Sequence, residues 1–143
     1  MAKVMEIDNE WSDIIETQVK WVDRWILPDL EGMYKGPKGR IKLLQHIIDG
    51  KLVKKNDTVK LRCLGTYFGQ AIVEITGWPW KVIEDKYGVD IAIQVPEGKD
   101  WIFPITMISK RIENDEYFDV KKLFDDIVPL IFRADSDGTY TIQ

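Results

Sequence analysis

The sequence predicts an α+β fold in a single domain spanning residues 1–143, and three observations point to it. Apolar residues keep helical spacing from Trp11 to Ile75, the period changes to strict alternation after Gly77, and helical spacing returns after Asp119. Segregated helices and strands of this kind give N-terminal helices, a three-stranded or slightly larger antiparallel meander and a C-terminal helix, rather than the alternating βα units of a doubly wound sheet. At 143 residues and 45% apolar content, about two-thirds of the unfolded chain's surface can be buried.

The first helix follows from Trp11, Ile14, Ile15, Val19, Trp21, Val22, Trp25 and Ile26, which share one arc at 100° per residue, with Asp8 or Asn9 as cap. Three tryptophans on that arc read as core, and Pro28 is expected to end or bend the helix near Leu27. Gly32, Gly36, Pro37 and Gly39 then read as a loop, followed by a short helix from Arg40 to Asp49 stopped by Gly50. The most regular helix carries Leu61, Leu64, Tyr67, Phe68, Ala71, Ile72 and Ile75, with Asn56 or Asp57 as cap and Gly77 as stop. Gly65 and Gly69 lie on one flank of its apolar face and predict a close approach of another backbone, since each mid-helix glycine costs about 0.5–1 kcal/mol relative to alanine.

Three β-type runs come next: Trp80–Glu84, Val89–Val95, and Trp101 to about Ile112, with Pro104 marking the last as an edge or bulged strand. Val89, Ile91, Ile93 and Val95 are expected on the core face of the middle strand, and Asp90 and Gln94 on the wetter one. Short connections make the runs an antiparallel meander. The closing helix is capped by Asp119 and buries Val120, Leu123, Phe124, Ile127 and Ile131, with Pro129 bending it; a polar tail follows, with a short extended piece at 140–142.

Net charge is -4, but it is unevenly placed. Residues 1–34 hold 3 basic and 8 acidic groups, whereas residues 35–62 hold 9 basic and 2 acidic ones. That basic stretch reads either as a solvated helix pair offsetting the first helix or as a binding patch. Nucleic acid is a poor partner, because the other segments together repel phosphate. One His and one Cys, His46 and Cys63, exclude a His/Cys zinc site, a disulfide framework and a CxxC pair. A lone thiol and an N-terminus without an apolar leader predict a cytoplasmic protein, and no apolar run reaches the length of a membrane span.

Candidate chemistry is sparse. The glycine-rich loop fits neither GxxxxGK[ST] nor GxGxxG. Ser12, Ser109 and Ser136 lie in no GxSxG context, and His46 stands alone as a surface or edge histidine. Cys63 reads as a packing thiol. The adjacent acids Glu84/Asp85, Asp115/Glu116 and Asp125/Asp126 point to different sides and form no acid/base pair. Asp135, Asp137 and Gly138 lack the bidentate Glu of a calcium loop. No catalytic residue, metal or cofactor is therefore expected.

Leu64, Gly65, Tyr67, Phe68 and Gly69, then Trp78 or Trp80, then Asp90, Ile91 and Ile93, then Pro104 resemble a small bacterial domain-of-unknown-function family with a Leu-Gly-x-Tyr-x-Gly helix, a following Trp and a β-meander. Gln70 stands where such families usually have Glu. More loosely, the chain is similar to immunity proteins of polymorphic or contact-dependent toxin systems, which implies a cognate protein partner. The expected function is a non-catalytic protein-binding module, with Lys35, Lys38, Arg40, Lys54 and Lys55 as contacts or, for a basic partner, the acidic first and last segments. The alternative is a ligand-binding or accessory domain with Trp78, Trp80 or Trp101 walling an aromatic pocket. An unrecognised enzyme is the third reading.

Overall fold

A computed structural model describes residues 2–26, 28–96, 100–127, 134–137 and 139–141. Helix α1 (Asn9–Asp23) starts where the Asp8 carboxylate accepts the Trp11 amide at 2.8 Å, and it buries Ile15, Val19 and Val22. Trp11, Trp21 and Trp25 are half-buried at the margin of the core rather than inside it. The helix ends at Asp23, short of the expected Leu27, because the Pro28 ring would clash with the carbonyl four residues earlier. A 3₁₀ segment, Pro28–Tyr34, follows.

Helix α2 spans Gly36–Asp49, so residues 36–39 open a helix instead of forming the expected loop. Pro37 sits in its first turn, where the missing N–H removes no ladder bond. Gly39 is buried because Tyr34 backbone lies on it: a Cβ there would stand 2.6 Å from Tyr34 Cα. Its glycine serves close packing, not a turn.

Helix α3 (Thr58–Thr76) is the central element, capped by Asp57 and closed by Gly77 at φ +76, a left-handed conformation that glycine adopts without a Cβ penalty. Leu61, Leu64, Tyr67, Phe68, Ala71 and Ile72 are essentially inaccessible along it.

Strands β1 (Lys3–Glu6), β2 (Trp80–Asp85), β3 (Gly88–Gln94) and β4 (Trp101–Ile102) form one antiparallel sheet in the order β1-β2-β3-β4. β1 went unpredicted, since four residues carry too little alternation. The register places Met5, Trp80, Val82, Ile91, Ile93 and Ile102 on one face, and Val4, Lys81, Ile83, Ala92 and Trp101 on the other. Val89, expected in the core, is exposed, while Ala92 is buried.

The third β-run is corrected as well. Only Trp101–Ile102 is strand, and Pro104 opens helix α4 (Pro104–Glu113) instead of marking an edge strand. Ile105, Ile108 and Ile112 keep a helical three-and-four spacing that packs α4 along α3. Helix α5 (Val120–Ile127) buries Val120 and Ile127 and packs on α2, with Asp119 accepting the Lys121 amide at 3.0 Å. Pro129, Ile131 and residue 142 lie outside the described residues. β5 (Ala134–Asp137) and β6 (Thr139–Thr141) pair as a separate two-stranded sheet, more than the single extended piece expected. Among the described residues no helix is long and apolar enough to cross a membrane.

Candidate functional site

Among the described residues, two concave regions are each lined by side chains from several elements. The first grows from one flank of α3, where Tyr67, Gln70 and Glu74 fall together at spacings of three and four. Opposite them stand Asp23, the last residue of α1, and Arg40, in the second turn of α2. Arg40 grips Glu74 with two bonds, Nε to Oε1 at 2.9 Å and Nη2 to Oε2 at 3.2 Å, and its Nη1 reaches Asp23 Oδ1 at 3.4 Å. Its guanidinium carbon stands 4.9 Å from the centre of the Tyr67 ring, and the Tyr67 hydroxyl donates to Asp23 Oδ1 at 2.6 Å. Gln70 extends the network, donating to Glu74 at 3.4 Å and accepting the Trp80 indole N–H at 3.2 Å.

The electrostatics follow from burial against pairing. Burial works against the Arg40 charge, but the bond to Glu74 and the fields of Glu74, Tyr67 and Asp23 outweigh it and raise its pKa. Burial, then the bond to Asp23, pushes the Tyr67 phenol well above its ordinary value, with Arg40 opposing. Asp23 stands at the C-terminal end of α1, where the helix field disfavours a carboxylate, so Arg40 and Tyr67 offset a local cost. This network borders a cleft of about 450 Å³ lined by Ile7, Ser12, Ile15, Glu16, Val19, Arg40, Gln70, Val73 and Trp80.

The second region is a groove of about 710 Å³ where the C-terminal ends of α2 and α4 meet the start of α3. Ile47, Val53, Leu64 and Ile112 supply apolar lining; Lys51, Lys54 and Lys55 stand with Asp49, Asp115, Glu116 and Tyr117 around them. Both helices end in the same way. The Lys51 and Leu52 amides bond back to the Ile48 and Ile47 carbonyls, and the Asp115 and Glu116 amides to the Ile112 and Arg111 carbonyls. Each motif needs a left-handed residue, and this chain uses Lys51 (φ 52) and Asp115 (φ 54). Lys55 bonds Asp115 at 2.7 Å and lowers its pKa.

The five lysine and arginine positions expected to form one patch are dispersed. Lys35 and Lys38 are exposed at the N-terminal end of α2, and Lys54 and Lys55 lie beyond its C-terminal end, about 20 Å away along the axis. Arg40 is bound internally, with its side chain 19% exposed. Elsewhere in the stretch Lys60 pairs with Asp57, and Arg62 with Asp90. The three candidate tryptophans also separate: Trp78 is buried, Trp80 lines the cleft, and Trp101 projects from the opposite sheet face.

His46 is exposed and its Nδ1 meets the Tyr34 hydroxyl at 2.7 Å. Cys63 is buried, and burial raises its pKa against the field of Arg62. Asp125 and Asp126 pair with Lys121 and Lys122 one turn earlier. Among the described residues no cluster of three or more His, Cys, Asp or Glu is placed to hold a metal. Sequence reading singled out none of Asp23, Glu74 and Tyr117, and noted Gln70 only as standing where similar families usually have Glu. Asp23 and Glu74 stand on the flanks of their helices, where spacing alone does not tell a paired polar residue from a solvated one, and Tyr117 carries no signal either.

Fold and clefts together define a small α+β domain in which the helices and the Trp80, Val82, Ile91 and Ile93 face of an antiparallel sheet share one core. The chain belongs to the DUF3806 family, a domain of unknown function, whose sequence profile matches residues 40–124. The match begins at Arg40 and takes in Tyr67, Gln70, Glu74 and Trp80, leaving α1 and Asp23 outside it. Neither curated proteins nor solved structures give a match.

Proposed function

We propose that this domain is a non-catalytic protein-binding module, in its most specific form a cytoplasmic immunity protein that covers a cognate toxin. The observation that carries this reading is the groove between the ends of α2 and α4. It combines apolar lining, a charged border and an aromatic residue, Tyr117, that is 81% exposed. Apolar centres with charged rims are the anatomy of protein interfaces, and tyrosine is among their commonest anchors. Leu52, 60% exposed, adjoins it in sequence. Two of the five expected contacts, Lys54 and Lys55, stand here, and Lys51 and Lys54 make no ion pair with a described residue. Such a surface suits a partner segment that presents an apolar side chain beside acidic ones.

The test is co-expression with the product of the adjacent gene, followed by association kinetics on the purified pair. Tyr117→Ala should weaken the complex about tenfold or more, and Lys54→Glu should slow association most at low salt. Absence of a complex, or turnover of a small molecule by the purified domain, would overturn the reading.

A further inference from the structure

The cleft beside Trp80 presents hydrogen-bond donors that the protein itself does not use. Arginine carries five N–H groups. Arg40 spends two on Glu74 and one on Asp23, and the Tyr67 oxygen draws on a fourth, leaving one. Gln70 spends one amide hydrogen on Glu74 and its oxygen on Trp80, leaving one hydrogen. Ser12 adds a hydroxyl from α1. All three residues line the same cleft, whose other walls include Ile7, Ile15 and Val73.

Charge narrows what those donors would receive. Arg40 is flanked by two carboxylates, Asp23 and Glu74, and Glu16 on the cleft wall pairs with Lys20. One cation between two anions leaves the surroundings net negative, so a third carboxylate or a phosphate gains little from Arg40. An uncharged acceptor meets no such repulsion.

We infer that this cleft binds a small uncharged ligand with an apolar body and a carbonyl or amide oxygen, the oxygen seated on Arg40 and Gln70. A volume of about 450 Å³ matches a small-molecule site. The inference stands apart from the proposed function: the cleft and the groove share no lining residue.

The probes are N-acetyl-L-leucinamide, which is uncharged, and N-acetyl-L-leucine, its carboxylate counterpart. Titration of the full chain is followed through the Trp80 indole N–H and the Gln70 side-chain amide by NMR. The amide should shift both signals saturably, and the acid should bind about fivefold more weakly. Ser12→Phe, at an exposed position on the cleft wall, should leave the melting temperature unchanged and weaken amide binding about tenfold. No saturable shift with the amide, equal or tighter binding of the acid, or unchanged binding by a folded Ser12→Phe variant would overturn the inference.

Discussion

The two flanks of α3 are held to their neighbours by opposite means. On one, Gly65 and Gly69 bring α4 and Trp80 against the helix with no room between. A Cβ on Gly65 would collide with Ile105 backbone, its carbonyl oxygen 3.0 Å away. One on Gly69 would meet Trp80 Cζ2 at 2.6 Å and Pro104 Cγ at 2.7 Å. On the other flank Tyr67, Gln70 and Glu74 reach α1 and α2 through hydrogen bonds and an ion pair. The first flank is specified by shape and dry contact, the second by directional bonds that leave donors facing a cleft. A packed flank has no spare capacity, whereas a polar one does, and for that reason the ligand site is placed on the latter.

Substitutions on each flank should separate the two kinds of specification. The largest effect is expected from Gly65→Ala, where a single methyl must displace α4 backbone: about 3 kcal/mol of stability lost by urea unfolding. Gly69→Ala should cost less, about 2 kcal/mol, because it meets side chains only. A loss under 0.5 kcal/mol at Gly65 would show that the packed flank yields as readily as the polar one.

Arg40→Met comes next, at about 2 kcal/mol, since it leaves Asp23 and Glu74 as neighbouring carboxylates without their cation. Combined with Glu74→Gln, which removes one of those charges, the loss should be smaller than the sum of the two single losses. Strict additivity in the cycle would mean that the pair is not coupled.

Tyr67→Phe should cost about 1 kcal/mol at neutral pH by removing the bond to Asp23. It should also change the alkaline response. The folded Tyr67 pKa is raised above the unfolded value of 10.0, so its contribution is fully present below that pH. Above it the unfolded chain gives up the phenolic proton more readily than the folded one, and stability falls as pH rises toward the folded pKa. Comparing urea midpoints at about pH 9 and about pH 11 should show a shallower decline in Tyr67→Phe than in the parent. An identical decline would mean that Tyr67 does not carry the linkage.

The smallest effect lies off both flanks. Lys51→Gly places glycine where the end of α2 needs a left-handed residue, and should raise stability by about 0.5–1 kcal/mol. If the unfolding midpoint falls instead, Lys51 contributes more through its side chain than its backbone conformation costs.

Much of this was legible in one dimension. Asp8 or Asn9, Asn56 or Asp57, and Gly77 marked helix ends because capping acts within a few residues, and the fold uses Asp8 and Asp57. The apolar repeat from Leu61 to Ile72 marked the central helix, and Gly65 and Gly69 marked a close approach, for glycine inside a helix needs a packing reason. Pro104 misled because proline suits both an irregular strand and the first turn of a helix; the three-and-four spacing of Ile105, Ile108 and Ile112 was the better guide. Gly39 misled likewise, reading as part of a loop when it lies inside α2 as the seat of Tyr34. For the sites, the three candidate tryptophans part company in the fold: Trp80 lines the cleft, Trp78 is buried, and Trp101 lies on the opposite face of the sheet.

By itself the sequence determined the α+β class, the order of helices and meander, and the central helix, since periodicity and capping are local and survive without knowledge of partners. Only the tertiary structure decided the fate of the charges. Arg40 and Lys55 look alike among nine basic residues in the sequence. In the fold Arg40 is clasped by Glu74, thirty-four positions away, and Lys55 by Asp115, sixty positions away. Whether a charge is free to bind or already bound depends on contacts between distant segments, and those exist only once the helices have packed.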